Sequence, residues 1–190
     1  MRGLSANVAL GARSTIAQGP ADTLLCRGGR RPASGPSSYS SAEGGRSDAA
    51  AELSDATFCA DTPRATRSLR ATLAHQVECE WAWRVRLRTG SFPAGDILPG
   101  DFDSLNALLA RWRHEQAELR ALASLLDQQA LAARPKGATG SLTVARCLLY
   151  VVNHGTQQFA EAAVLLSQLG HSPGEIGYLA FCGERSAGEG

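Results

Sequence analysis

Residues 142–169 read LTVARCLLYVVNHGTQQFAEAAVLLSQL, and this stretch decides the fold. Its apolar positions recur at threes and fours, the spacing of a helix that buries one face. Ser141 stands where the helix should open, and Gly170 stands where a glycine cap should end it. In the middle lies Asn153-His154-Gly155-Thr156, so the helix carries an imidazole on a segment that should be buried. Residues four apart on a helix are offset by about 40° and residues seven apart by about 20°. Cys147, Tyr150, His154, Gln158 and Glu161 therefore share one face.

Outward from this helix the rest of the chain reads the same way. A second long helix is expected from about Thr66 to Arg88, with Leu69, Leu73, Gln76, Trp83 and Leu87 on successive turns and Gly90 and Pro93 closing it. It carries His75 and, one turn on, Cys79, followed by Glu80 and Trp81. A third helix, capped by Asp101 or Asp103, is expected from about Ser104 to Ala133, on the period of Leu105, Leu108, Leu109, Trp112, Leu119, Leu122 and Leu126. Ala49 to Leu53 reads as the end of a further helix, stopping at Ser54-Asp55. A short piece around Ile176 to Phe181 folds back before a frayed tail at 183–190. No stretch has a strand period of similar strength, and the fold class is all-α.

Residues 1–47 differ in kind. Gly, Ser, Arg and Pro dominate, only Asp22 and Glu43 are acidic, and no period is sustained, so disorder is expected there. The same bias superficially fits an organellar transit peptide; a basic nucleic-acid arm is a further reading, but the basic residues are sparse and no aromatic platform accompanies them.

Composition narrows the partners. The net charge of +1 argues neither for nucleic acid nor for an anionic membrane surface, and no apolar run suffices to span a bilayer. The five cysteines form no Cys-x-x-Cys pair and read as reduced thiols of a cytoplasmic protein. There is no Gly-x-Ser-x-Gly elbow, no phosphate-binding glycine loop and no His-Glu-x-x-His. Two histidines on facing helices are the ingredients of a metal site inside a bundle. Taken alone, a buried His154 suits a metal ligand or a hydrogen-bonded core residue equally well. Cys79 and Cys147 suit the core, His114 a charged outer face, and His171 a helix end.

Three segments together resemble the DinB-like family, which is related to thiol-dependent transferases and to the N-terminal domain of mycothiol-dependent maleylpyruvate isomerase. They are Ser68 to His75 with Glu80-Trp81, then Leu149 to Gln157, then Glu161-Ala162-Ala163 through Leu169-Gly170-His171-Ser172-Pro173-Gly174. The likeness runs from about residue 48 to 182. It implies a four-helix bundle holding a divalent metal, zinc or nickel, on three histidines. His75 and His154 match two of them. The third falls at Gln158, and Phe159 follows where the family often has arginine. The resemblance thus implies a weakened metal site at His75, His154 and Gln158, with Glu161 or Cys79 as further donors, and a small-molecule thiol as partner. The family's amphipathic first helix has no counterpart in residues 1–47, which reads as an aberrant or missing first helix and a misassigned upstream reading frame. Three strong helices and a remnant leave one wall of the core thin, a condition that favours a homodimer.

Overall fold

The computed structural model describes residues 53–62, 65–137 and 141–173, and every regular element among them is helical. A five-residue helix α1 (Asp55–Cys59) precedes the long α2 (Leu69–Thr89). A 3₁₀ turn (Pro99–Asp101) leads to α3 (Leu105–Ser124), then a short α4 (Gln128–Ala132) and the long α5 (Val144–Gln168). α2 is the centre of the arrangement, packed against α3 on one flank and α5 on another.

Each start is set by a hydroxyl or carboxylate that accepts from an orphan N–H of the first turn. Ser54 Oγ accepts from Thr57, Ser68 Oγ from Ala71, Ser104 Oγ from Ala107, and Thr143 Oγ1 from Arg146. Several expected boundaries are corrected by these caps. Ser54 opens a helix rather than ending one, because its side chain is bonded forward to Thr57. Ser104, not Asp101 or Asp103, caps α3; Asp101 instead accepts from the Leu98 N–H within the 3₁₀ turn. Thr143, not Ser141, opens α5.

The single helix expected from about Ser104 to Ala133 is two. The chain turns at Leu125–Asp127, where Asp127 Oδ1 accepts from Ala130 at 2.7 Å and caps α4. An apolar period carried through the turn by Leu122 and Leu126 hid this break. The C-terminal end of α5 is as the sequence suggests. Gly170 takes φ +84°, the Gly170 N–H reaches Ser167 O, and the His171 N–H reaches Leu166 O at 2.8 Å. These are the paired bonds of a Schellman end.

Two apolar clusters hold the helices together. One joins Phe58, Leu69, Leu73 and Val77 to Leu108, Trp112, Leu165 and Leu166. The other joins Leu119, Ala123 and Leu131 to Leu148 and Val151. Between α2 and α3 runs a charged strut. Glu115 is buried and accepts from Arg84 through Nε at 2.9 Å and Nη2 at 2.6 Å, and from Arg111 Nε at 2.9 Å. Two guanidiniums on one buried carboxylate compensate its desolvation, which a single partner would do less well. The expected helical ending at 49–52 and the pieces at 1–47, 176–181 and 183–190 lie outside the described residues.

Candidate functional site

The antiparallel contact of α2 and α5 brings His75 and His154 together, their ring centroids 5.0 Å apart. Gly155 makes this approach feasible. A Cβ on it would lie 3.2 Å from Gln76 Nε2, so the backbone of α5 sits against a side chain of α2 with no room to spare. Gln76 is itself held. Its Nε2 donates to Glu80 Oε1 at 2.7 Å, and Glu80 Oε2 accepts from Trp112 Nε1 at 3.1 Å. Trp112 stacks on Phe159 at 5.3 Å, which returns the chain of contacts to α5. A buried polar frame across three helices therefore fixes the height at which the two imidazoles meet.

The two rings differ in environment. His75 is partly exposed and its Nδ1 lies 3.2 Å from Glu78 Oε2. With the proton on Nδ1, that bond leaves the Nε2 lone pair free; a carboxylate in this role orients and strengthens a ligating imidazole. His154 is buried, and its Nδ1 has no hydrogen-bond partner. Burial pushes its pKa down, and the neighbouring His75 and Arg67 push in the same direction. The neutral ring, with a lone pair to offer, is the favoured form. Tyr150 meets the His154 ring edge-on at 5.9 Å and is half exposed.

Gln158 is buried one turn beyond His154, and its Oε1 faces Arg67 Nη1 at 3.4 Å. Arg67 is a member of the site that sequence reading missed; the helix expected from about Thr66 starts after the Ser68 cap, so Arg67 precedes it, and its contact with Gln158 lies between helices. Glu80 was missed as well, although its spacing of four from Gln76 was visible. The other expected donors do not join the imidazoles. Among the described residues no three His, Cys, Asp or Glu side chains gather as a metal cage. Cys79 is buried, and its thiol is pushed up to about 12 by burial and by the charges of Glu80 and Glu78, so it is a poor thiolate donor. The Cys147 thiol is also pushed up, chiefly by burial. Cys59, Cys79 and Cys147 are free thiols. Glu161 is only partly buried, and His114 is exposed.

The donor set can be tested against a metal by geometry. Two imidazoles that share one ion at about 2.0–2.1 Å and a near-tetrahedral angle stand with their centroids roughly 5 Å apart. The 5.0 Å separation meets that condition, and the Glu78 bond and the unpartnered His154 nitrogen suit it. The third corner is weaker, because Gln158 offers a neutral oxygen that already faces a guanidinium. The residues fit a metal held by two strong donors and one poor one.

A helical bundle with two histidines in contact between neighbouring helices is the class that fold and site define. Residues 37–186 match the model of the DinB family, and the chain belongs to that family. Membership makes the architecture that of a four-helix bundle. The match begins upstream of residue 48 and runs beyond 182. Comparison with curated proteins gave no match. No helix among the described residues is long and apolar enough to cross a membrane.

Proposed function

We propose that this DinB-family bundle binds a divalent metal, zinc or nickel, weakly at His75 and His154, with Gln158 as an exchangeable third donor. The observation that carries the reading is the 5.0 Å approach of the two rings, with Glu78 on the Nδ1 side of His75. A metal bound there would lower the pKa of a thiol beside it and hold the thiolate. The chain's own residues supply the rest. Glu78 orients His75, burial keeps His154 neutral, and Arg67 provides positive charge for an anionic ligand. The partly exposed His75 and half-exposed Tyr150 leave the site open to solvent. A small thiol is the partner this chemistry suits, and three free thiols support a reducing, cytoplasmic setting.

The test is thermal unfolding with chelator and with added nickel or zinc. A ligand bound only by the folded state at a hundred times its Kd stabilises by about 2.7 kcal/mol, which raises Tm by roughly 5–10 °C for a chain of this size. The rise should vanish in His154→Ala and His75→Ala. A Tm that ignores both chelator and metal leaves the second reading, a non-catalytic module whose His and Gln side chains form a polar cluster. The Arg67–Gln158 contact favours that reading.

A further inference from the structure

The outer strip of α5 is not built like the outside of the other helices. From Leu149 to Gln168 every exposed residue on it is uncharged, and the only carboxylate in that span, Glu161, is partly buried. By contrast α3 carries Arg111, Arg113, Glu118 and Arg120 on its exposed and half-exposed positions, as a surface helix ordinarily does. On α5, Leu149 is 42% exposed, Tyr150 49% and Val164 57%. The charge of α5 also opposes its dipole. Its first turn carries Arg146 and no acidic residue, and its last turn has no basic residue. Nothing in residues 1–47 has the apolar period of a helix that could lie on this strip.

We infer that this strip is the interface with a second copy of the chain, related by a twofold axis that crosses α5 between Thr156 and Gln157. A contact of that symmetry must be self-complementary, and the strip is. Its larger side chains, Leu149, Tyr150 and Asn153, lie before the axis, and Ala160, Ala163 and Val164 lie after it. Antiparallel pairing about the axis sets Leu149 on Val164, Tyr150 on Ala163 and Asn153 on Ala160 of the second copy. Parallel pairing would set large on large and small on small. The same symmetry brings Arg146 to Ser167 of the second copy, in the last turn of its α5, where a cation suits the helix dipole. At the axis, Thr156 Oγ1 donates to Val152 O and keeps its lone pairs for the Gln157 amide of the second copy. The area is small. A strip from Arg146 to Ser167 is about 32 Å long and about 10–12 Å wide, roughly 350 Å², against about 800 Å² per partner in a standard stable interface. The dimer is therefore weak and reversible, with Kd on the order of 10–100 µM. It does not depend on a bound metal.

The experiment is sedimentation velocity of the full chain in chelator, from about 5 to about 500 µM, a range that brackets the expected Kd. The weight-average mass should rise from 19.9 kDa toward twice that value. Thr156→Glu sets two carboxylates against each other across the axis, and Gln157→Lys sets two ammonium groups against each other. Each alone should weaken association at least tenfold. With both changes in one chain, each new carboxylate meets an ammonium of the other copy, and association should return to wild-type strength or better. Adjacent positions on a helix do not face each other, so the two charges cannot satisfy one another within one chain. Ala121→Glu, on the exposed side of α3, should leave association unchanged. Circular dichroism confirms that the variants fold. A chain that stays monomeric throughout, as it would if its own residues 174–186 lay on the strip, overturns the inference. So does a dimer that ignores both single changes, or one that the double change fails to restore.

Discussion

Gln158→His should tighten zinc or nickel binding at least a hundredfold, about 2.8 kcal/mol at 1.4 kcal/mol per decade. The substitution places a second imidazole on α5, one turn after His154 on the same face. It exchanges a neutral amide oxygen for a nitrogen donor that zinc and nickel prefer. It also removes the acceptor that now faces Arg67 at 3.4 Å, which frees the guanidinium to turn to solvent. Competition against a chromophoric zinc indicator reads the change. His75→Ala in the same background should cancel the gain, because the ion would lose a donor from α2. If affinity does not move, the facing of α2 and α5 derived from the ring contact is wrong, whatever the wild type binds.

Glu80→Gln should reshape the pH dependence of stability. The Glu80 carboxyl is pushed up to about 7, mainly by burial and further by Glu115, against the hydrogen bonds of Gln76 and Trp112 and the nearby Gln116 amide. Below the ordinary carboxylate pKa of 4.5 the folded and unfolded chains both hold this proton. As pH rises from there to about 7 the unfolded chain releases it and the folded chain keeps it, so stability falls. Above that the loss is constant, on the order of 3 kcal/mol for a shift of this size. Glutamine never ionises and carries no such loss. Moving from pH 4.5 to pH 8.5 should therefore shift the stability difference toward the variant by about 3 kcal/mol, read from urea midpoints. The His154 contribution runs the other way. Its pKa is lowered, so it destabilises as pH falls below about 6.5, but it is common to both proteins and cancels. A difference that is flat with pH would mean Glu80 is ionised throughout. Gln76 can accommodate the change: its Oε1 has no partner, and a turn of the amide would present that oxygen to a donor at position 80.

The sequence disclosed the all-helical fold and the two imidazoles, and the physical reason is periodicity. Long helices with apolar stripes announce themselves, and residues four apart must share a face, so Tyr150, His154 and Gln158 could be aligned before any contact was known. What sequence could not carry is what lies between helices. Nothing in residues 65–68 indicates that Arg67 ends at Gln158, because that contact depends on where the start of α2 sits against the last turns of α5. Glu80 could be named beside Trp81 in the sequence but not placed, and only its position between Gln76 and Trp112 makes it a core residue. The split at Leu125–Asp127 was concealed for the opposite reason, since a turn that keeps the apolar spacing looks like uninterrupted helix. Gly155 was visible in the sequence, but its meaning required the Gln76 amide beside it.

Trp112 occupies a position whose consequence is optical. Its indole nitrogen donates to Glu80 at 3.1 Å while its ring plane stacks on Phe159. Indole emission responds to a charge appearing on its bonded acceptor, and Trp112 is wholly buried, whereas Trp81 and Trp83 are partly open. With those two replaced by phenylalanine, the emission of the remaining tryptophan should titrate with the Glu80 proton, near pH 7, and cease to titrate in Glu80→Gln. The protein thus carries its own indicator dye, placed at the centre of the core and read without any added label.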